Sequence, residues 1–251
     1  MMNLLPADDE SLDDLALGLG LRVLQRRRGH RSATDDVLAA WSAQQTRPEA
    51  KSVLDLGCGH GTVTLLLSGL LPEAEFVSVE VQEVSYALLQ RNIVLNELAH
   101  RVRGVRCDLR ELALEQKFDL VTGTPPFMPL GSGVLPKDEQ RAAGRFELRG
   151  GIEAYLETAK EHLAPEGSVS ILMDGAQDRR CREAFERLRL HLHQVRVFDP
   201  RPGRPSRYRC YIGGLEPGPV PVSEPHLLIR EEDGSYSGAM VALRQQVGVE
   251  V

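Results

Sequence analysis

The stretch VLDLGCGHGTVTLLL, residues 53–67, constrains this chain more than any other. A short apolar run ends in Gly57, Gly59 and Gly61, and a second apolar run follows. That order is strand, tight turn, helix. Glycines at the turn let backbone approach a ligand closely, and the amides of the helix N-terminus face it. A dinucleotide fingerprint needs Gly or Ala where this chain has Thr62. Asp55 sits just before the turn, where its carboxylate would repel a pyrophosphate and hold a cation.

Strand and helix patterns alternate on both sides of this unit. SVLDLG, EFVSVE, VRGVRCD, KFDLVTGT, SVSILMD, QVRVFD and RYRCYIGG read as seven strands. GTVTLLLSGLL, QEVSYALLQRNIVLNELAH, IEAYLETAKEHLAPEG and DRRCREAFERLRLH read as helices, the second with Val84, Leu88, Leu95 and Leu98 available for its apolar face. The expected fold is α/β, a parallel Rossmann-like sheet with helices on both faces. Only PRPGRPS separates the last two strands, too short for a parallel crossover, so they should form an antiparallel hairpin at one edge.

Residues 1–20 show no strong period and suggest a frayed start. Ser32 or Thr34 should cap a helix starting near Asp35, with Val37, Leu38 and Trp41 on one face. Past residue 215 the chain opens on proline-rich linker chemistry and should return as a strand and a helix. The division expected is 1–48 as an N-terminal extension and cap helix, 49–215 as the ligand-binding domain, and 216–251 as a C-terminal appendage.

Length and composition narrow the class. At 251 residues there is room for one domain with extensions. No apolar run approaches the roughly 20 residues that span a bilayer. The acidic start, MMNLLPADDESLDD, does not read as a signal peptide. Cys58, Cys107, Cys181 and Cys210 are scattered, which points to a reduced cytoplasmic protein with no structural zinc. A net charge of −6 excludes a uniformly basic nucleic-acid binder but not a local basic face. Arginines cluster in RVLQRRRGHR and DPRPGRPSRYR.

Two further strand ends carry acids. Glu80 closes the second strand, a place that suits an acid bonding ribose hydroxyls. Asp108 closes the third and could accept from an adenine amino group. The fourth ends in Thr124, Pro125, Pro126 and Phe127.

Together LDLGCGHG, Glu80, the Asp108–Leu109 pair and the Pro-Pro-Phe turn resemble class I S-adenosylmethionine-dependent methyltransferases over about residues 30–215. GHRSATDDVLAAW and RFELRGGIEAYLETAKEHLAPEG are similar to the bacterial branch that methylates adenine N6 beside the anticodon of a valine tRNA. The resemblance implies S-adenosylmethionine as cofactor. It implies Asp55, Gly57 and Gly59 at the methionine end, Gly61 also in the cofactor site, Glu80 on the ribose, Val81 or Gln82 flanking the adenine, and Asp108 with Leu109 at its polar edge. It also implies a tRNA partner; the residues themselves suggest no metal and no membrane, and a monomer is expected.

The family pattern at the fourth strand is Asn or Asp, Pro, Pro, Tyr or Phe, for methylating planar amino groups. Such an amine is a poor nucleophile because its lone pair is delocalised into the ring. Acceptors aimed at its N–H groups favour the pyramidal transition state. Thr124 departs from the pattern: its hydroxyl accepts, but it is shorter than Asn and its own proton needs a place. A glutamine amide in a protein, or a small molecule, is therefore an alternative acceptor. Arg141, Arg145 and Arg149 follow in a long glycine-punctuated loop and are candidates either for phosphate contact or for a solvated helix face. His191 and His193, with no third ligand nearby in sequence, suit an ordinary strand role.

Overall fold

The computed structural model describes residues 3–218 and 226–251. Ten strands and seven α-helices are present among them. In chain order they are β1 (Glu10–Ala16), β2 (Leu21–Arg26), α1 (Thr34–Thr46), β3 (Ser52–Leu56), α2 (Thr62–Leu70), β4 (Glu75–Val79), α3 (Glu83–Leu95), β5 (Val102–Val105) and β6 (Phe118–Gly123). Then come α4 (Glu139–Arg145), α5 (Ile152–His162), β7 (Leu163–Asp174), α6 (Asp178–Arg187), β8 (His191–Asp199), β9 (Tyr208–Gly214), β10 (Leu227–Leu228) and α7 (Gly238–Val247).

Eight strands form the main sheet in the order β10-β8-β9-β7-β6-β3-β4-β5. The neighbours from β7 through β5 pair in parallel. Only β9 runs against its neighbours β7 and β8. The seven expected strands are all here, and β8 and β9 form the expected hairpin. The two-residue β10 adds an eighth strand beyond it.

Central strands read as continuous apolar runs because helices cover both faces. Val53, Leu120, Leu172 and Cys210 share one core with α1, α2, α3 and α7. Leu54, Leu56, Val121 and Ile171 share the other with α5 and α6. In α3 the buried face is Ser85, Leu88, Leu89, Asn92 and Ile93. Val84, expected inside, is exposed, and Leu95 is half-exposed. The helix stops earlier than the sequence suggests because the chain turns at Glu97, whose φ is 58°.

The start of the chain is not frayed. β1 and β2 form an antiparallel hairpin, a separate two-stranded sheet. Its anchors lie far away in sequence. The Asn92 side chain accepts from Leu24 N (2.7 Å) and donates to Leu24 O (3.0 Å), and Asn96 treats Arg22 the same way at 2.9 and 2.8 Å. Arg91 closes a two-oxygen ion pair on Glu10 at 2.7 and 2.8 Å. No local pattern signals a hairpin held by a helix 70 residues on.

Helix α1 begins at Thr34 with Ala33 in the cap position, not Ser32 or Thr34. The cap comes from inside the helix: Asp36 Oδ2 accepts from Ala33 N at 2.8 Å, while Ser32 bonds Gln25 instead. The loop after Phe127 is not all loop, since α4 forms within it, capped by Asp138 on Arg141 N at 2.9 Å. Arg26 pairs with Asp138 (2.9 Å), and Gln140 accepts from His30 N (3.2 Å) and donates to Ser85 (3.1 Å). These contacts lay α4 across the segment leading into α1. The C-terminal helix α7 is capped by Ser237 on Met240 N (3.0 Å) and docks on α1, where Trp41 donates to Gln246 at 2.8 Å. The proline-rich stretch expected as a linker lies mostly outside the described residues.

Candidate active site

Parallel pairing puts the C-terminal ends of β3, β4, β5 and β6 on one edge. Leu56 is level with Val79 and Gly123, and Val79 with Val105. The residues that follow each strand therefore meet there. Two of the turn glycines are required for different reasons. Gly57, at φ 63°, has no room for a side chain, because a Cβ would lie 2.0 Å from the Tyr155 hydroxyl. Gly59, at φ 59°, has nothing within 4 Å of where its Cβ would be, so it leaves an open cradle. Gly61 is the cap residue of α2.

Two buried acids face this turn. Glu80 accepts from Gly59 N at 2.9 Å with one oxygen and from Gln82 N at 2.6 Å with the other. Burial raises its carboxyl above the usual range. Asp55 accepts from Thr64 at 2.6 Å, and Thr64 meets Ser78 at 2.8 Å. Burial, reinforced by the charge of Glu80, raises Asp55 to about 7. Burial also pushes the Cys58 thiol well up and lowers His60 to about 3, so both are neutral at pH 7. The His60 ring instead meets Thr62 at 3.0 Å.

Asp108 behaves differently. It is held below its usual range by Arg110, which bonds it at 2.9 and 2.6 Å, and it caps the 3-10 turn Leu109–Glu111. Arg149, a candidate for phosphate contact, is exposed but lines the same cleft, and its charge acts on both Glu80 and Asp108.

A cleft of about 940 Å³, including its open mouth, runs over these groups. Asp55, Gly57, Gly59, Glu80, Val81, Gln82, Asp108, Leu109, Thr124 and Pro126 all line it, so most of the sequence candidates converge. A second cleft lies beside it and is lined by Pro125, Phe127, Asp35 and Tyr208. Thr124, Asp36, His30 and Gly144 line both. The Thr124–Phe127 turn is thus the partition between the two, with the double proline fixing its course.

Beside Phe127, Arg141 and Arg145, the second cleft contains Asp35, Arg207 and Tyr208, which the sequence reading did not assign to a site. Phe127 and Tyr208 stand with ring centres 5.9 Å apart and planes at 50°. The Arg207 guanidinium lies 5.4 Å from the Tyr208 ring centre. Arg31, Arg141 and Arg145 complete a basic rim. Tyr208 reaches this edge because β9 runs antiparallel and therefore begins where β7 ends, opposite Asp174. Asp35 and Asp36 had a visible signal, two acids in a helix first turn, but that signal reads equally as ordinary capping. Neither strand-region histidine joins the site; His193 meets the Glu216 carbonyl at 2.9 Å.

The arrangement is a glycine cradle with two acids, a proline turn, and an aromatic slot on the far side. Residues 36–199 match the family model described as methyltransferase small domain, about two thirds of the chain. The chain belongs to that family. This methyltransferase is also similar to curated proteins. It is 26% identical over 151 residues to a tRNA1(Val) (adenine(37)-N6)-methyltransferase of Flavobacteriaceae bacterium strain 3519-10, covering 60% of this chain and 62% of that protein. It is 25% identical over 211 residues to the protein of the same name from Vibrio cholerae serotype O1 strain M66-2, covering 84% and 85%. Among solved structures, a predicted O-methyltransferase from Agrobacterium tumefaciens superposes with a TM-score of 0.66 at 16% identity, over 86% of this methyltransferase and 98% of that chain. At that identity the likeness concerns the fold.

Proposed function

We propose that this methyltransferase uses S-adenosylmethionine to methylate the N6 amino group of an adenine in tRNA. One observation carries the reading: the Thr124–Phe127 turn separates an acidic glycine cleft from an aromatic slot rimmed by arginine. The relatives' names agree with it.

The first cleft fits the cofactor. Gly59 leaves open space beside the turn for a ligand, and Asp55 and Glu80 favour a cation. When bound, the cofactor supplies a methyl group on a cationic sulfur with its leaving group already activated. In this reading Asp55, Gly57 and Gly59 serve the cationic methionine end, while Gly61, which does not line the cleft, caps α2 behind it. Glu80, its oxygens already oriented by two backbone amides, serves the ribose hydroxyls. Val81 and Gln82 flank the adenine, with Asp108 and Leu109 at its edge.

On the far side, Phe127 and Tyr208 receive a base that has left its stack. The Pro125 carbonyl accepts from one of its amino N–H groups as the nitrogen becomes pyramidal, with the Thr124 hydroxyl beside it. Arg31, Arg141, Arg145 and Arg207 meet the phosphates that accompany the base. A net charge of −6 leaves this rim as the place where a polyanion is welcomed.

The test is a partition experiment. Labelled S-adenosylmethionine is offered with bulk tRNA, a glutamine-bearing peptide and a mixture of small amines. Label is expected in the tRNA. Label in the peptide or the small amines instead would overturn the reading.

A further inference from the structure

Resting on that reading, the geometry points to Asp35 as a second hydrogen-bond acceptor for the amino group being methylated, in the place of the carbonyl that Thr124 lacks. Thr124 offers one hydroxyl, and that hydroxyl also carries a proton that must be donated somewhere. An amine with two N–H groups needs two acceptors. The Pro125 carbonyl is one. The second cleft contains a carboxylate well suited to be the other.

Asp35 occupies the second position of α1 and lines the same cleft as Thr124, Pro125, Phe127 and Tyr208. Among the described residues its carboxylate is bonded only by its own backbone N–H, so an oxygen remains to accept. Its neighbour Asp36 is committed to capping Ala33 and cannot do the same work. Burial raises the Asp35 carboxyl, the charges of His30 and Arg207 offset this in part, and Asp36 and Tyr208 also face it, yet none of these side chains bonds it. Arg207 instead lies over the Tyr208 ring. A base stacked on the exposed side of this aromatic pair would present its edge to the wall that carries Thr124 and Asp35. The carboxylate accepts an N–H; no proton transfer to it is required.

The experiment compares Asp35→Ala and Asp35→Asn in the full chain, assayed on bulk tRNA with saturating S-adenosylmethionine. Asn keeps a carbonyl acceptor and Ala removes it. The expected result is a kcat loss of about 100-fold for Asp35→Ala, the scale of one lost transition-state hydrogen bond, with Asp35→Asn within about tenfold of the parent. Cofactor affinity by calorimetry and the melting temperature should be unchanged in both. Asp35→Ser keeps a polar first turn and serves as a second truncation, with the same loss expected, should Ala disturb the helix. An Asp35→Ala rate equal to the parent's overturns the inference, as does Asp35→Asn being as slow as Asp35→Ala. Failure of the parent itself to methylate tRNA would sink the underlying reading instead, so the two failures are distinct.

Discussion

Asp55 is the residue whose chemistry is most sharply defined. Its carboxyl titrates near 7 because it is buried beside Glu80. A cationic ligand stabilises the ionised form, so binding below pH 7 expels a proton. The sign follows for affinity: it falls as pH drops below about 7, by at most about tenfold per unit, and is flat above. The unliganded fold behaves in the opposite sense. Stability from a carboxyl with a raised pKa is complete below its unfolded value and is lost as pH rises through about 7. The melting-temperature gain on adding S-adenosylmethionine should therefore grow from pH 5.5 to about pH 7 and level off by pH 8, and Asp55→Asn should remove most of that trend. A pH-independent gain would contradict this role for Asp55. At this scale the sequence was informative where a residue type is rare in its setting, as at Gly57, Gly59 and Glu80. It was uninformative for Asp35, since an acid in a first helical turn is common for capping alone.

Among the elements, the hairpin β1–β2 and helix α3 are coupled through Asn92. Its side chain bonds both polar atoms of Leu24 and also donates to the His60 carbonyl at 2.8 Å. One buried amide thus ties the hairpin to the glycine turn. Asn92→Ala leaves Leu24 N–H and two carbonyls without this partner, which should cost about 1–3 kcal/mol. Hydrogen exchange is expected to quicken at Leu24 and its β1 partner Leu12, and cofactor affinity to fall. Unchanged exchange across the hairpin would show the coupling to be absent. The seven main strands were legible because buried parallel strands leave apolar runs between turn signals. The hairpin was not, because its stabilising contacts are with a helix distant in the chain. Helix α4 was missed for a similar reason: its seven residues, with no large apolar side chain among them, are fixed by Asp138, Gln140 and the segment before α1 rather than by an apolar stripe.

At the level of the whole molecule, the fold places two clefts back to back at one edge of a sheet. Parallel strands bring Asp55, Glu80, Asp108 and Thr124 there, and the single antiparallel strand β9 adds Tyr208. Local motifs could announce the first cleft, since each part follows its own strand. The second cleft depends on strand direction and on α1 crossing the edge, which no short motif encodes. On the proposed reading, the partition between these clefts directs a methyl group onto the exocyclic nitrogen of an adenine. The most direct measurement digests tRNA labelled by this protein and identifies the modified nucleoside by mass spectrometry. N6-methyladenosine is the predicted product; a ring-nitrogen or ribose 2′-O-methyl product, or a methylated nucleoside other than adenosine, would contradict the account.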